Sequence, residues 1–282
     1  MCSRLLILGT TGMLGHKMFQ VLRKDKRYDV YGAARTNYLT DRIIKIKDFN
    51  EIYELIKLLK PDVVINCIGI IKQIDSDRET MMQVNALFSQ ELGKLCSSIG
   101  VKVIQVSTDC VFSGKRGNYT EEDELDATDD YAVSKRMGEL NGHLTIRTSL
   151  IGHEIKNKLS LLEWFLSQKE ANGYKKAIFS GLTTIEFSRM IRDYVLPNIN
   201  KLSGIYNVAS APISKYDLLN KINKRYGSNI NIHKDKKLVI DRSLNPSKFK
   251  SETGYNCPIW AKMINDMYKD YLENIFLYKI IK

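Results

Sequence analysis

The stretch RLLILGTTGMLG, residues 4–15, decides the fold. Arg4 to Leu8 form a short apolar run, as a strand buried on both faces requires. Gly9 closes it, and a helix is predicted from about Met13 to Lys24. Strand, glycine turn and helix in that order open a βαβ unit. The G-x-x-G-x-x-G spacing is a variant of the dinucleotide-binding fingerprint, and each glycine has its own task. Gly9 permits the tight turn, Gly12 lets a pyrophosphate approach backbone N–H groups, and Gly15 lets the helix pack close to the sheet. Thr11, Met13 and Leu14, where the helix begins, supply N–H donors and the positive end of its dipole.

Outward from that turn, strand and helix alternate. Strands are predicted at 28–34, around Ile43, Ile44 and Ile46, and at 62–66, 102–107 and 143–149. Helices are predicted at 51–59, stopped by Pro61, at 79–99, stopped by Gly100, and from Tyr131 to Gly142. This is an α/β chain with a Rossmann-type doubly wound parallel sheet, and residues 1–150 form its dinucleotide-binding domain. After 150 the pattern changes: helices are predicted at 158–170, 184–195, 214–226 and 259–273, with short strands at 176–179 and 204–208. Residues 151–282 are therefore read mainly as a smaller substrate-binding α/β lobe, with some segments returning to the first domain. Trp164, on the 158–170 helix, is read as core.

Composition narrows the setting. Of 282 residues, 44% are hydrophobic and 27% charged, so a packed core is expected. The net charge of +11 comes from lysines spread along the whole chain, which reads as a solvated basic surface and not as a nucleic-acid partner. No run of about 18 apolar residues predicts a membrane span, and the first residues lack a signal peptide's pattern. Five cysteines, an odd count with no CxxC pair, point to a reduced, cytoplasmic protein. The four histidines have no ligand spacing, so no metal is expected.

The second strand ends in Arg35, where an NAD site would normally carry a carboxylate for the ribose 2′-hydroxyl. A guanidinium suits a 2′-phosphate, so NADP is the expected cofactor, with NAD as the alternative. By strand-end position, Asp48 and Phe49 flank the adenine, and Cys67, Ile68 and Gly69 line the ribose. Tyr131 and Lys135 are four residues apart on one helix face. A free phenol has a pKa of about 10, and a nearby ammonium is expected to lower it toward a useful acid–base range. Lys135 would also hold the nicotinamide ribose. Thr108, at the polar end of the fifth strand, can donate to a substrate oxygen as negative charge develops there.

With these segments in view, the chain resembles the dTDP-4-dehydrorhamnose reductase family of extended short-chain dehydrogenases. The resemblance rests on GTTGMLG (9–15), STDCVFSG (107–114), the acidic stretch at 119–128, YAVSKRMGE (131–139) and IRTS (146–149), with SGLTTIEFS (180–188) and IDRSLNPSKF (240–249) in the second lobe. It implies Thr108, Tyr131 and Lys135 as the catalytic set. It also implies NAD(P)H-dependent reduction of the C4 ketone of a nucleotide-linked 4-keto-6-deoxyhexose in deoxysugar biosynthesis. The nucleotide is dTDP or UDP, and the sugar can carry a 2-acetamido group.

One departure is informative. Rhamnose-type reductases usually have tyrosine after the Thr-Asp pair; this chain has Cys110. In the related GDP-fucose synthases a cysteine two residues after the catalytic hydroxyl is an acid/base for epimerisation, and Cys110 resembles it. A thiol tuned below its usual pKa of about 8.5 would serve in a 3-epimerisation. The second acid/base this needs would be His153. Dehydratases of the superfamily carry Thr-Asp-Glu, and the missing glutamate speaks against that activity. Asp109, Lys158, Ser180, Gly181, Thr183 and Arg242 are the substrate-binding candidates. Two alternatives stand beside the reductase: another extended short-chain dehydrogenase or epimerase, and a non-catalytic nucleotide-binding regulatory subunit, since one subunit of methionine adenosyltransferase is similar to this family. A homodimer is left open.

Overall fold

The computed structural model describes residues 2–36, 40–74, 76–156 and 158–279. Its first half runs β1 (Ser3–Leu8), α1 (Met13–Leu22), β2 (Tyr28–Ala34), β3 (Ile43–Lys45), α2 (Phe49–Leu59), β4 (Val63–Asn66), α3 (Arg78–Met82), α4 (Phe88–Ser98), β5 (Lys102–Thr108), α5 (Asp130–Met137) and β6 (Leu144–Thr148). Its second half runs β7 (Leu150–Ile151), α6 (Leu161–Leu166), β8 (Glu170–Phe179), β9 (Leu182–Thr183), α7 (Thr184–Met190), β10 (Gly204–Asn207), β11 (Ile213–Ser214), α8 (Lys215–Tyr226), β12 (Asn231–Asp241), α9 (Ser247–Thr253), α10 (Trp260–Glu273) and α11 (Ile275–Lys279). The central sheet has the order β10-β6-β5-β4-β1-β2-β3, all parallel. This is the Rossmann-type doubly wound arrangement that the glycine turn and the alternation predict.

The strands are apolar because both faces are covered. Leu5 and Ile7 join Met18, Phe19 and Leu22 of α1, whereas Leu6 and Leu8 join Ile52 and Ile56 of α2 and Phe88 and Leu92 of α4. All four β1 leucine and isoleucine side chains are fully buried, each contributing roughly 1.5–3 kcal/mol. Because the strands are parallel, their carboxyl ends meet at one edge. That edge collects Gly9, Arg35, Cys67, and Thr108 with the turn after it.

Five α-helix starts among the described residues are capped by side chains. Asp48, Asp77, Asp129, Thr183 and Ser214 each accept from the N–H three residues on, a bond worth about 1 kcal/mol. At α1 the cap is Gly12, with no side-chain bond, so the donors of its first turn face the open edge of the sheet.

The structure differs from the sequence expectation in several places. The helix expected over 158–170 is only Leu161–Leu166, because Lys158 has φ of 49° and β8 already begins at Glu170. Trp164, expected in the core, is 42% exposed. The helices expected at 79–99 and 184–195 each contain a π turn, Gln83–Leu87 and Ile191–Val195. β12 carries no period-2 signal because it is an exposed edge strand of the β11-β8-β12 sheet, with Lys236, Lys237 and Val239 all exposed. β10 returns to the main sheet beside β6, and one hydrophobic cluster runs from Ile7 and Met18 through Phe165, Phe179, Leu218 and Met263. No helix among the described residues is long and apolar enough to cross a membrane.

Candidate active site

The glycine turn is built around close backbone approaches. Gly9 has φ of 78°, and a Cβ there would meet the Cys67 backbone at 3.1 Å. The Gly12 N–H donates to Gly9 O at 3.0 Å and closes the turn. A Cβ on Gly15 would lie 2.1 Å from Gly9 O, so only glycine lets α1 come this near. Gly12 is different: it is exposed, and a Cβ there meets only Gly9 O, at an ordinary 3.4 Å. The fold does not require glycine at this position, and a methyl group there would project into the space before the uncapped start of α1. Thr11 and Met13 flank that space half-buried, and Leu14 turns into the core. This cradle fits the diphosphate of a dinucleotide.

Around it, Arg35 is exposed at the end of β2. Asp48 spends one carboxylate oxygen on the Glu51 N–H, and Phe49 stacks on Phe88 with ring centroids 4.2 Å apart. The Cys67 N–H donates to Leu8 O, and the Ile68 N–H to Asn66 Oδ1. Gly69 brings its loop to Lys135, so that a Cβ there would be 3.7 Å from Nζ. The turn after β4 and α5 thus lie against each other.

On α5, Lys135 is buried and donates to Val106 O at 2.8 Å. Burial lowers its pKa to about 8, with the carboxylate of Glu139 pulling the other way. Thr108 closes β5; its Oγ accepts from the Cys110 N–H at 3.1 Å and donates to Asp109 Oδ1 at a long 3.3 Å. Tyr131 stands beside Thr108 and Cys110. Its phenol does not have the lowered pKa expected from sequence. Burial pushes it above the usual value and Cys110 adds to this, while Thr108 opposes. The free chain therefore holds Tyr131 firmly protonated, because the groups acting on it are Thr108, Asp109, Cys110 and Asp129, and the Lys135 amine is tied back to Val106.

Two expectations about epimerisation are corrected. The Cys110 thiol is not tuned downward: burial and then Asp109 raise it to about 12, against the pull of Arg242, whose Nη1 lies 3.8 Å from Sγ. His153 is no second acid/base. It is buried, its Nδ1 meets Glu163 at 2.6 Å, its Nε2 meets the Tyr226 hydroxyl at 2.8 Å, and its ring stacks on Tyr271. Both nitrogens are committed inside the lobe.

Of the substrate candidates, Asp109 and Arg242 join the Thr108–Tyr131 cluster. Burial raises the Asp109 pKa, opposed by Ser149, Lys215 and Arg242. Arg242 is held by its Nε on Phe112 O at 2.8 Å. Ser180, Gly181 and Thr183 are buried and brace the lobe: Ser180 Oγ accepts from the Leu244 N–H, Gly181 O from Ser210, and Thr183 Oγ from the Glu186 N–H. Lys158 is exposed. A separate cleft of about 700 Å³, lined by Leu5, Lys57, Pro61 and Lys102, opens at the opposite edge of the sheet and brings no group to this cluster.

The family described as RmlD substrate binding domain matches residues 3–173, more than half of the chain. The chain belongs to that family. It is 26% identical over 224 residues to the spore coat polysaccharide biosynthesis protein SpsK of Bacillus subtilis, covering 76% of each chain. It is 28% identical over 138 residues to methionine adenosyltransferase 2 subunit beta of Mus musculus, covering 48% of this chain and 41% of that one. A solved dTDP-4-dehydrorhamnose reductase from Bacillus anthracis, in complex with NADP, superposes with a TM-score of 0.80 at 20% identity, covering 96% of this chain and 99% of that one.

Three features of this RmlD-family chain escape sequence reading. Asn85 sits in the π turn between α3 and α4; its amide exchanges hydrogen bonds with Ile70 and donates to Ser134, pinning the Gly69 loop to α5. Single π turns such as this one are frequent at functional sites. Glu139 and Arg147 form a buried bidentate pair at 2.7 Å behind Lys135, and Ser107 Oγ donates to the same carboxylate at 2.8 Å. Lys215, at the start of α8, lies over the Phe179 ring at 4.1 Å and acts on both Asp109 and Cys110. No local pattern announces a lysine that reaches the site from the other lobe.

Proposed function

We propose that this chain reduces the C4 ketone of a nucleotide-linked 4-keto-6-deoxyhexose, dTDP- or UDP-linked, with NADPH as the electron donor. The observation that carries this reading is Tyr131 against Thr108, with Lys135 one turn further along α5 and beside the Gly69 loop, at the sheet edge that carries the glycine cradle. When bound, the nicotinamide supplies the hydride that reaches the carbonyl carbon. Every proton event belongs to the chain. Tyr131, held protonated by its burial, donates its proton to the carbonyl oxygen. Thr108 exchanges its long bond to Asp109 for one to the same oxygen, stabilising the charge that forms there. Lys135, about 8 in pKa and so mostly ammonium at neutral pH, supplies the positive charge on α5 that favours the phenolate left behind, and would hold the cofactor's ribose when it is bound. The Asp109, Arg242 and Lys215 cluster carries two cations to one carboxylate, an excess that suits an anionic substrate.

A second reading, epimerisation beside the ketone, is favoured by the contact between Arg242 and the Cys110 sulfur. A thiol at about 12 becomes a base only if substrate binding brings it down, which Arg242 is placed to do. Incubation with dTDP- and UDP-linked 4-keto-6-deoxy sugars in deuterated buffer tests both readings. Reduction requires loss of reduced-nicotinamide absorbance and a C4 hydroxyl in the product. Epimerisation requires deuterium at C3 that disappears in Cys110→Ser while reduction of an already epimerised substrate remains. A non-catalytic binding role, as a regulatory subunit would have, predicts nucleotide binding with no turnover of any of these ketones.

A further inference from the structure

The second lobe sends one cation to the cofactor half of the molecule. Lys156 Nζ reaches Thr36 Oγ1, on the residue after Arg35, at 3.4 Å. The two side chains are 120 positions apart in sequence and belong to different lobes. Lys156 is not a wandering surface lysine. The backbone beneath it is fixed by the buried Ile155 and by His153, which is held by Glu163 and Tyr226. Tyr278 of α11 packs against that same His153 and donates its hydroxyl to His16, whose other nitrogen meets Gly12 O at 2.8 Å. The segment carrying Lys156 is therefore tied, through Tyr278 and His16, to the glycine turn itself. On the β2 side, Thr10 fills the space that a Cβ on Gly32 would take, which packs the glycine turn against β2 two residues before its end.

We infer that Lys156 is the second cation of a 2′-phosphate clamp, so that the substrate lobe takes part in choosing NADPH over NADH. A phosphate monoester near neutral pH carries close to two negative charges and three acceptor oxygens. Arg35 supplies one guanidinium at the end of β2, Thr36 a hydroxyl, and Lys156 an ammonium arriving from the opposite wall. NADH, with a free 2′-hydroxyl, offers no charge for Lys156 to meet. The inference rests on reading the end of β2 as the adenosine-ribose site. It adds that cofactor binding bridges the two lobes.

The test is direct binding, which needs no sugar substrate. The full chain and the variants Lys156→Met, Lys156→Arg and Arg35→Met are titrated with NADPH and NADH by nicotinamide fluorescence, and with 2′,5′-ADP and 5′-AMP by calorimetry. Thermal unfolding confirms that each variant is folded. Lys156→Met is expected to lower the NADPH-to-NADH affinity ratio about tenfold, the loss of one charge-assisted hydrogen bond. NADH affinity should stay unchanged and Lys156→Arg should retain the preference. If wild type prefers NADPH, Arg35→Met abolishes the preference and Lys156→Met keeps it, the clamp is Arg35 alone and the inference is overturned. If wild type binds the two cofactors equally, the NADPH reading falls together with the inference.

Discussion

The glycine turn offers the sharpest paired perturbation, because Gly12 and Gly15 belong to one motif but differ in physical demand. In Gly15→Ala the new methyl would start 2.1 Å from Gly9 O and 2.7 Å from Gly9 C, both backbone atoms that cannot rotate away. Overpacking of this kind costs about 1–3 kcal/mol, and at roughly 2–4 °C per kcal/mol the melting temperature should fall by about 2–12 °C. In Gly12→Ala the nearest protein atom is 3.4 Å away, so only the cap preference is lost, at most about 1 kcal/mol. The same methyl blocks the approach of a diphosphate to the first turn of α1. Losing one N–H bond to a charged phosphate, about 1.5–3 kcal/mol, weakens NADPH binding roughly ten- to hundredfold. Differential scanning fluorimetry and fluorescence titration of both variants separate the two effects. The reasoning is refuted if Gly12→Ala binds NADPH as wild type does, or if Gly15→Ala melts with wild type.

Lys135 gives a pH prediction. Its folded-state pKa of about 8 is below the unfolded value near 10.5, so between these values the unfolded chain binds more protons. Stability contributed by this site should therefore rise as pH increases from 8 to 10.5, relative to Lys135→Met; parallel melting curves over that window would count against it. Turnover, which uses the ammonium form, should fall above about pH 8. Breaking the buried Arg147–Glu139 pair with Arg147→Met should cost about 3–5 kcal/mol by leaving Glu139 uncompensated, lowering the melting temperature by about 6–20 °C. A fall under about 2 °C, read by the same fluorimetry, would mean that the pair contributes little to holding α5 on the sheet.

Much of the first half was legible because its signals are local. The apolar run before Gly9, a helix starting at Met13 and the short buried strands each follow from patterns within a dozen residues, though the helix ends at Leu22 and not near Lys24. Tyr131, Lys135 and Thr108 could be named because a helix face and a strand end place side chains from sequence alone. What sequence misses is set by contacts between distant segments. The sign of the Tyr131 shift depends on burial beside Cys110, which comes from a different element. His153 looks available in a sequence, yet Glu163, Tyr226 and Tyr271 take it up from three other helices. β12 hides because an edge strand that is largely exposed keeps its lysines and loses its alternation. Lys156 and Lys215 belong to the same class: long side chains whose targets are in the other lobe.

The central claim is that a protonated Tyr131 delivers the proton that completes reduction of a sugar ketone. It is tested most directly by single-turnover reduction of a UDP- or dTDP-linked 4-keto-6-deoxyhexose by wild type and Tyr131→Phe, each saturated with NADPH. The account predicts that the variant binds NADPH normally and that its hydride-transfer rate falls about 10²- to 10⁴-fold, the scale of a lost general acid. Equal rates in the two proteins, or a wild type that oxidises no NADPH with either substrate, would contradict it.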